Sequence, residues 1–245
     1  MAKGLVQWKN SLKPSQIAAG MNAASENALR LYEDAELLFS SGRYPSAVSL
    51  AILSIEESGK ISILRTLALA KDGKDVKEAW KSYRSHTKKN ASWIFAELVS
   101  KGSRKLEDFR TLFLEDAEHP ALLDNLKQIS FYTDCLGKAH WSQPSSVLES
   151  DTAKFIIGIS KLMLSNKKFT EREIELWVKH IKPVWKGPLE PMKNALNEWF
   201  KSMIAEGLLI EGETAVSDFI GATMGYRKMM HLNADASADH GHSGF

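Results

Sequence analysis

The sequence predicts an all-α protein. Apolar residues recur at helical spacing along nearly the whole chain, and no segment shows sustained strand alternation. The run "LLI" at Leu208–Ile210 is too short to count as a strand. The breaks between periodic segments fall at Pro, Gly and Ser, where helices start and stop. The chain has 245 residues, enough to bury a sizeable core.

The elements follow in order. A first helix is expected from Pro14, a good first-turn residue, to about Phe39, with Gly42 as its stop. Pro45 opens a second helix that runs out near Gly73. A third is expected over Val76 to Val99 and a shorter one over Leu106 to Leu114. A fifth is expected from near Pro120 to about Leu136. The stretch "GKAHWSQPSS" then interrupts the pattern and marks a boundary near Gln143–Ser150. Beyond it, "SDTAKFIIGISKLML", "FTEREIELWVKHI", "PMKNALNEWFKSMIAEG" and "TAVSDFIGATMGYRKMM" read as helices. Thr170 and Glu173 have the spacing of a capping box. The expected organisation is a helical domain over residues 1–145, a C-terminal helical region over 150–232 and a disordered tail over 233–245. His240 and His242 in that tail read as a solvated terminus.

Bulk properties exclude several classes. One cysteine, Cys135, rules out a disulfide within the chain and a zinc site built on cysteine clusters. No uninterrupted apolar run reaches about 18 residues, so no membrane partner is expected. The opening "MAKGLVQWKN" lacks the apolar core of a secretory signal, so a cytoplasmic protein is expected. A net charge of +2 neither demands nor excludes nucleic acid. A di-metal carboxylate bundle would carry Glu-x-x-His repeats, and none is present; neither metal nor cofactor is expected.

The chemistry-bearing residues are charges set into apolar faces. In "LAILSIEESGKISILRTLALA", Glu56 and Glu57 both fall within or beside apolar stripes. Lys60 stands four residues after Glu56, in the favourable order for an ion pair. The face of Ser54, Ser58, Ser62 and Arg65 carries neither glutamate, and its serines suit close approach of another helix. A charge in an apolar stripe is costly unless paired, so a register-fixing ion pair and a polar pocket are both open readings.

The third helix adds a stripe of Tyr83, His86, Asn90, Trp93 and Ile94, with Lys89 one turn after His86. The fifth adds a stripe of Leu122, Leu126, Ile129, Tyr132 and Leu136, with Lys127 and Asp134 nearby. Polar groups on three inward faces point to one shared site. In the C-terminal part, Trp177, Trp185 and Trp199 have core spacing.

The segments "LYEDAELLFSSGRYPSAVSLAILSIEESGK", "SHTKK" and "FYTD", in that order, resemble the AbiV family of bacterial abortive-infection proteins over about Ala24 to Pro144. That family belongs to the HEPN superfamily, which includes many RNases and toxins of phage defence. The resemblance implies a HEPN-like bundle of four to five helices, here with additional C-terminal helices. It also implies a homodimer with its site at a two-fold interface, and RNA or a phage or host protein as target. HEPN RNases typically carry Arg-x4–6-His, and no arginine here has a histidine at that spacing; Arg227 and His231 are too close. The corresponding place reads Lys127-x4-Tyr132, and lysine holds phosphate as a point charge rather than a fork. The remaining catalytic set is His86 as acid/base, Glu56 or Glu57 orienting it, and Lys60 and Lys89 beside it, with Lys127, Tyr132 and Asp134 toward substrate. Two functions follow: a metal-independent ribonuclease, or a non-catalytic protein that blocks a phage or host process by binding.

Overall fold

The computed structural model describes residues 5–90, 119–165 and 167–209, with no account of the side chains of residues 87, 90, 119 and 120. Its elements are α1 (Pro14–Ser40), α2 (Tyr44–Ala68), α3 (Gly73–Arg84), α4 (His86–Asn90), α5 (His119–Phe131), β1 (Asp134–Leu136), β2 (His140–Ser142), α6 (Pro144–Val147), α7 (Ser150–Met163), α8 (Glu171–Ile181), a 3-10 turn (Lys182–Val184) and α9 (Leu189–Ala205). The all-α class holds. None of the described helices is long and apolar enough to cross a membrane.

Local chemistry sets the ends. The Lys13 amide donates to Gln16 Oε1 at 2.9 Å, and Pro14 occupies the first turn of α1. Gly42, at φ 70°, lets the chain leave α1, and the Arg43 amide closes on the Leu38 carbonyl at 2.9 Å. Asp72 caps α3 by accepting from the Asp75 amide at 2.9 Å. Thr170 caps α8 by accepting from the Glu173 amide at 3.2 Å. The Glu173 carboxylate faces α2 instead of completing the box.

α2 is the central helix, which explains why its sequence is apolar almost all round. On α1, Ile17, Met21, Ala24, Ala28, Leu31 and Ala35 form its buried stripe, and the alanines let the two backbones come close. One core joins α1 and α2 to Leu123 of α5 and to Ala153, Ile156 and Ile159 of α7. A second joins them to Ala79 of α3 and Phe169 and Ile174 at the start of α8. A third packs Leu69 against Leu176, Ile181, Trp199 and Met203. The helix after the expected boundary, α7, thus shares the core of α1 and α2. The serine face behaves as expected at Ser54: its hydroxyl donates to the Ala28 carbonyl at 2.7 Å and accepts from Ser160 at 2.8 Å, tying α1 and α7 to α2.

Three expectations are corrected. The third helix breaks at Ser85, whose backbone is extended, so α3 and α4 are separate elements. The fifth helix ends at Phe131 rather than near Leu136. Asp134 to Ser142 form an antiparallel hairpin with Cys135 opposite Trp141, its loop carrying positive φ at Gly137 and Ala139. The expected helices over Leu106–Leu114 and "TAVSDFIGATMGYRKMM", the tail, and Trp93 and Ile94 lie outside the described residues.

Candidate functional site

The site is built around one carboxylate. Glu56, in the middle of α2, is 2% exposed. Its Oε1 accepts from Lys127 Nζ at 2.7 Å. Its Oε2 accepts from His86 Nδ1 at 2.7 Å and lies 3.0 Å from Lys89 Nζ. Lys127 Nζ also pairs with Asp124 Oδ1 at 2.9 Å. Three elements, α2, α4 and α5, therefore meet on a single side chain.

Burial on its own raises the Glu56 pKa, but hydrogen bonds from Lys127, His86 and Lys89 outweigh it and hold the carboxyl below its ordinary value. Burial likewise opposes the charge on Lys127, and its bonds to Glu56 and Asp124 win, raising its pKa. An ionised carboxylate only accepts hydrogen bonds, so His86 carries its proton on Nδ1. The His86 side chain is 57% exposed, and Nε2 has no hydrogen-bond partner among the described residues. A buried carboxylate thus orients an imidazole whose other nitrogen faces outward, the arrangement by which a carboxylate fixes a catalytic histidine.

Close backbone approach makes this possible. A Cβ at Gly59 would collide with the Lys89 carbonyl, so only glycine lets α4 lie against α2 here. Glycine inside a helix costs about 1 kcal/mol relative to alanine. That cost was the sequence signal for Gly59, which the pattern of charges did not reveal. On α5 the inward face is Leu123, Lys127 and Ser130, one position round from the expected stripe. Ser130 shares a 2.6 Å hydrogen bond with Ser49 of α2.

The structure gathers Glu56, His86, Lys89 and Lys127 and adds Asp124, which sequence reasoning missed. It does not bring in the others. Lys60 pairs with Glu57 at 2.5 Å, not with Glu56, and its ammonium lies 5.2 Å from the Tyr83 ring. The oxygens of Glu56 are already taken by cations from α4 and α5. Tyr132 follows the end of α5 and is 61% exposed, and Asp134 sits exposed in β1, accepting from the Cys135 amide at 2.7 Å. Both were expected on a helix that stops before reaching them.

Glu56, His86 and Asp124 hold ligand atoms within 4.8 Å of one another, a spacing that suits a cation. The Lys127 ammonium stands between the two carboxylates at 2.7 and 2.9 Å and supplies that positive charge itself.

A model of the HEPN AbiV family, described as AbiV, matches residues 16–165, well over half of the chain. The chain belongs to the AbiV family of HEPN proteins. The AbiV match runs from the first turn of α1 past the end of α7, further at both ends than the segments that carried the resemblance. It contains every residue around Glu56. No curated protein and no solved structure matches the chain.

Helices α8 and α9 lie beyond the AbiV match and are held by a second buried carboxylate. Glu173, 1% exposed, pairs with Arg65 of α2 at 2.8 Å and with Lys167 at 3.1 Å. The Arg65 guanidinium lies 5.6–5.9 Å from the rings of Phe169, Trp177 and Trp199. The core reading of Trp177 and Trp199 stands, for the two rings meet edge to face at 5.2 Å.

Proposed function

We propose that this AbiV-family chain is an abortive-infection protein of phage defence that acts on RNA as a metal-independent ribonuclease. The observation that carries this is His86, outward-facing and fixed through Nδ1 by buried Glu56 at 2.7 Å. In the proposed step, His86 Nε2 takes the proton of a ribose 2′-hydroxyl. The 2′-oxygen attacks the adjacent phosphorus, the bond to the 5′-oxygen breaks, and that oxygen takes a proton from a water that the His86 imidazolium reprotonates in turn. Two carboxylates and two ammoniums around a neutral imidazole sum to zero charge. Proton uptake by His86 makes the cluster cationic as negative charge grows on the phosphoryl oxygens. Lys89 and Lys127 keep the Glu56 carboxylate ionised, and exposed Lys88 and Arg84 attract the strand.

The protein works in this reading in the cytoplasm, as a homodimer through its N-terminal half. Phe131, Tyr132, Leu136 and Trp141, exposed at the end of α5 and on the hairpin, support a second copy docking there. The test is cleavage of end-labelled RNA by wild type and by His86→Ala. Cleavage by wild type alone is expected; equal cleavage by both, or none by wild type, refutes the enzyme.

A second reading is a non-catalytic protein that blocks a phage or host process by binding. It is favoured by the burial of Lys89 and Lys127, both engaged by Glu56, and by the missing Arg-x4–6-His. Phage protection that survives His86→Ala would select it.

A further inference from the structure

A cleft of about 240 Å³ opens between α2, α3 and the turn after α8. It is lined by Thr66 of α2, Glu78 and Ser82 of α3, Lys88 of α4, and Trp185. Its floor includes Ile63, which is buried. Ile63 is seven residues after Glu56, so it lies two turns along the same face of α2, about 10 Å away. The short α4 spans both places: His86 and Lys89 reach Glu56, while Lys88 lines the cleft.

The cleft is below the roughly 300–1,000 Å³ of whole small-molecule sites and has room for a single ring system. Trp185 packs against the core of α8 and α9 and also borders the cleft, so its indole is a fixed wall. Lys186, at φ 63°, is anchored beside it by a 2.7 Å ion pair to Asp75, which holds the turn in place. Glu78 offers an acceptor, Thr66 and Ser82 offer hydroxyls, and Lys88 offers an exposed cation. An aromatic wall, an acceptor for amino groups and a cation for phosphate together fit one nucleotide unit.

Resting on the RNA reading above, we infer that this cleft seats one unpaired, amino-bearing base of the bound strand, near the nucleotide presented to His86. The base stacks on Trp185, its exocyclic amino group donates to Glu78, and Lys88 meets the backbone phosphate. The site selects single-stranded RNA, because a paired base cannot enter a cleft of this size. Uracil, which has no exocyclic amino group, fits less well than adenine.

The test is fluorescence anisotropy of labelled 2′-O-methyl octamers, oligo(A) and oligo(U), which lack the attacking hydroxyl. Wild type, Trp185→Ala, Trp185→Phe and Lys88→Gln are compared, with circular dichroism as a folding check. Wild type is expected to bind oligo(A) more tightly than oligo(U). Trp185→Ala weakens oligo(A) binding roughly 5- to 150-fold, the loss of one stacked base, and Trp185→Phe retains most of it. Lys88→Gln, an exposed change independent of the core, lowers the salt slope by about one. If Trp185→Ala and Lys88→Gln both bind oligo(A) as wild type does, the cleft assignment falls and the RNA reading stands. If Trp185→Ala fails to fold, an unchanged salt slope for Lys88→Gln overturns the assignment by itself. If wild type binds neither octamer, both fall.

Discussion

Glu56→Gln is the most informative single change, because it keeps the side chain's shape while removing its charge and turning one of its two acceptor oxygens into an NH2 donor. Glu56 accepts from or pairs with three donors, of which the ammoniums of Lys89 and Lys127 are nearly as buried as Glu56 itself. Each hydrogen bond to a charged group is worth about 1.5–3 kcal/mol, but the three share one carboxylate and do not add. The greater penalty comes from ammoniums left buried without their anion; Lys127 keeps Asp124, whereas Lys89 loses its buried partner. Removing one partner of a buried pair costs about 3–5 kcal/mol. For a domain of this size each kcal/mol lowers the melting temperature by about 2–4 °C, so a drop of roughly 6–20 °C is expected. The control is Glu57→Gln, whose ion pair with Lys60 is far less buried and is worth about 1 kcal/mol or less. Urea melts of the three proteins measure the difference directly, provided the slope with denaturant is unchanged. A Glu56→Gln protein within about 1 kcal/mol of wild type, or no worse than Glu57→Gln, would refute the argument that this carboxylate holds α4 and α5 on α2.

Further outcomes follow from the same geometry. His86→Ala removes an exposed ring and is expected to change stability by about 1 kcal/mol or less while abolishing phage protection; parallel melts and plaque assays check this, and a matched loss of both would assign His86 a structural role. Gly59→Ala drives a methyl into the Lys89 carbonyl, should cost about 1–3 kcal/mol, and should lower protection by moving His86; an unchanged urea midpoint would contradict it. Glu56 is held below its ordinary pKa of 4.5, so its contribution is complete above that pH and lost as pH falls through the lowered value. Lys127 is raised above 10.5, so its contribution is complete below that pH and lost as pH rises through the raised value. The melting difference between wild type and Glu56→Gln should therefore be flat between these limits and shrink on the acid side, as calorimetry across pH would reveal. Arg65→Ala strands the carboxylate of Glu173 with Lys167 as its remaining cation and should cost about 3 kcal/mol, read as early loss of α8 and α9 protection in hydrogen exchange.

The sequence by itself determined the helical class, the starts of α1 and α2 near Pro14 and Pro45, and the inward position of Glu56 among apolar neighbours. These are properties of spacing, and spacing on a helix fixes which residues share a face. It also placed His86 and Lys89 one turn apart, with His86 on an inward stripe shared with Tyr83, whereas the break at Ser85 sets His86 on α4 with its ring more than half exposed. The partners were another matter. Lys60 is the nearest cation to Glu56 along the chain, yet it pairs with Glu57, and Glu56 takes Lys127 from 71 residues away. An i,i+4 pair on one helix is worth only a few tenths of a kcal/mol, so cations brought by packing and shielded from water displace it. The face of α5 was misjudged by one position because Lys127 and Ser130 are held inward by Glu56 and Ser49, forces that no hydrophobic pattern contains. Tyr132 and Asp134 dropped out because α5 stops at Phe131 and the chain turns into a hairpin, a boundary that the apolar stripe ran straight across. Gly59 and Asp124 entered only when α4 and α5 docked, since a close approach and a third ion-pair partner exist between elements and not within one.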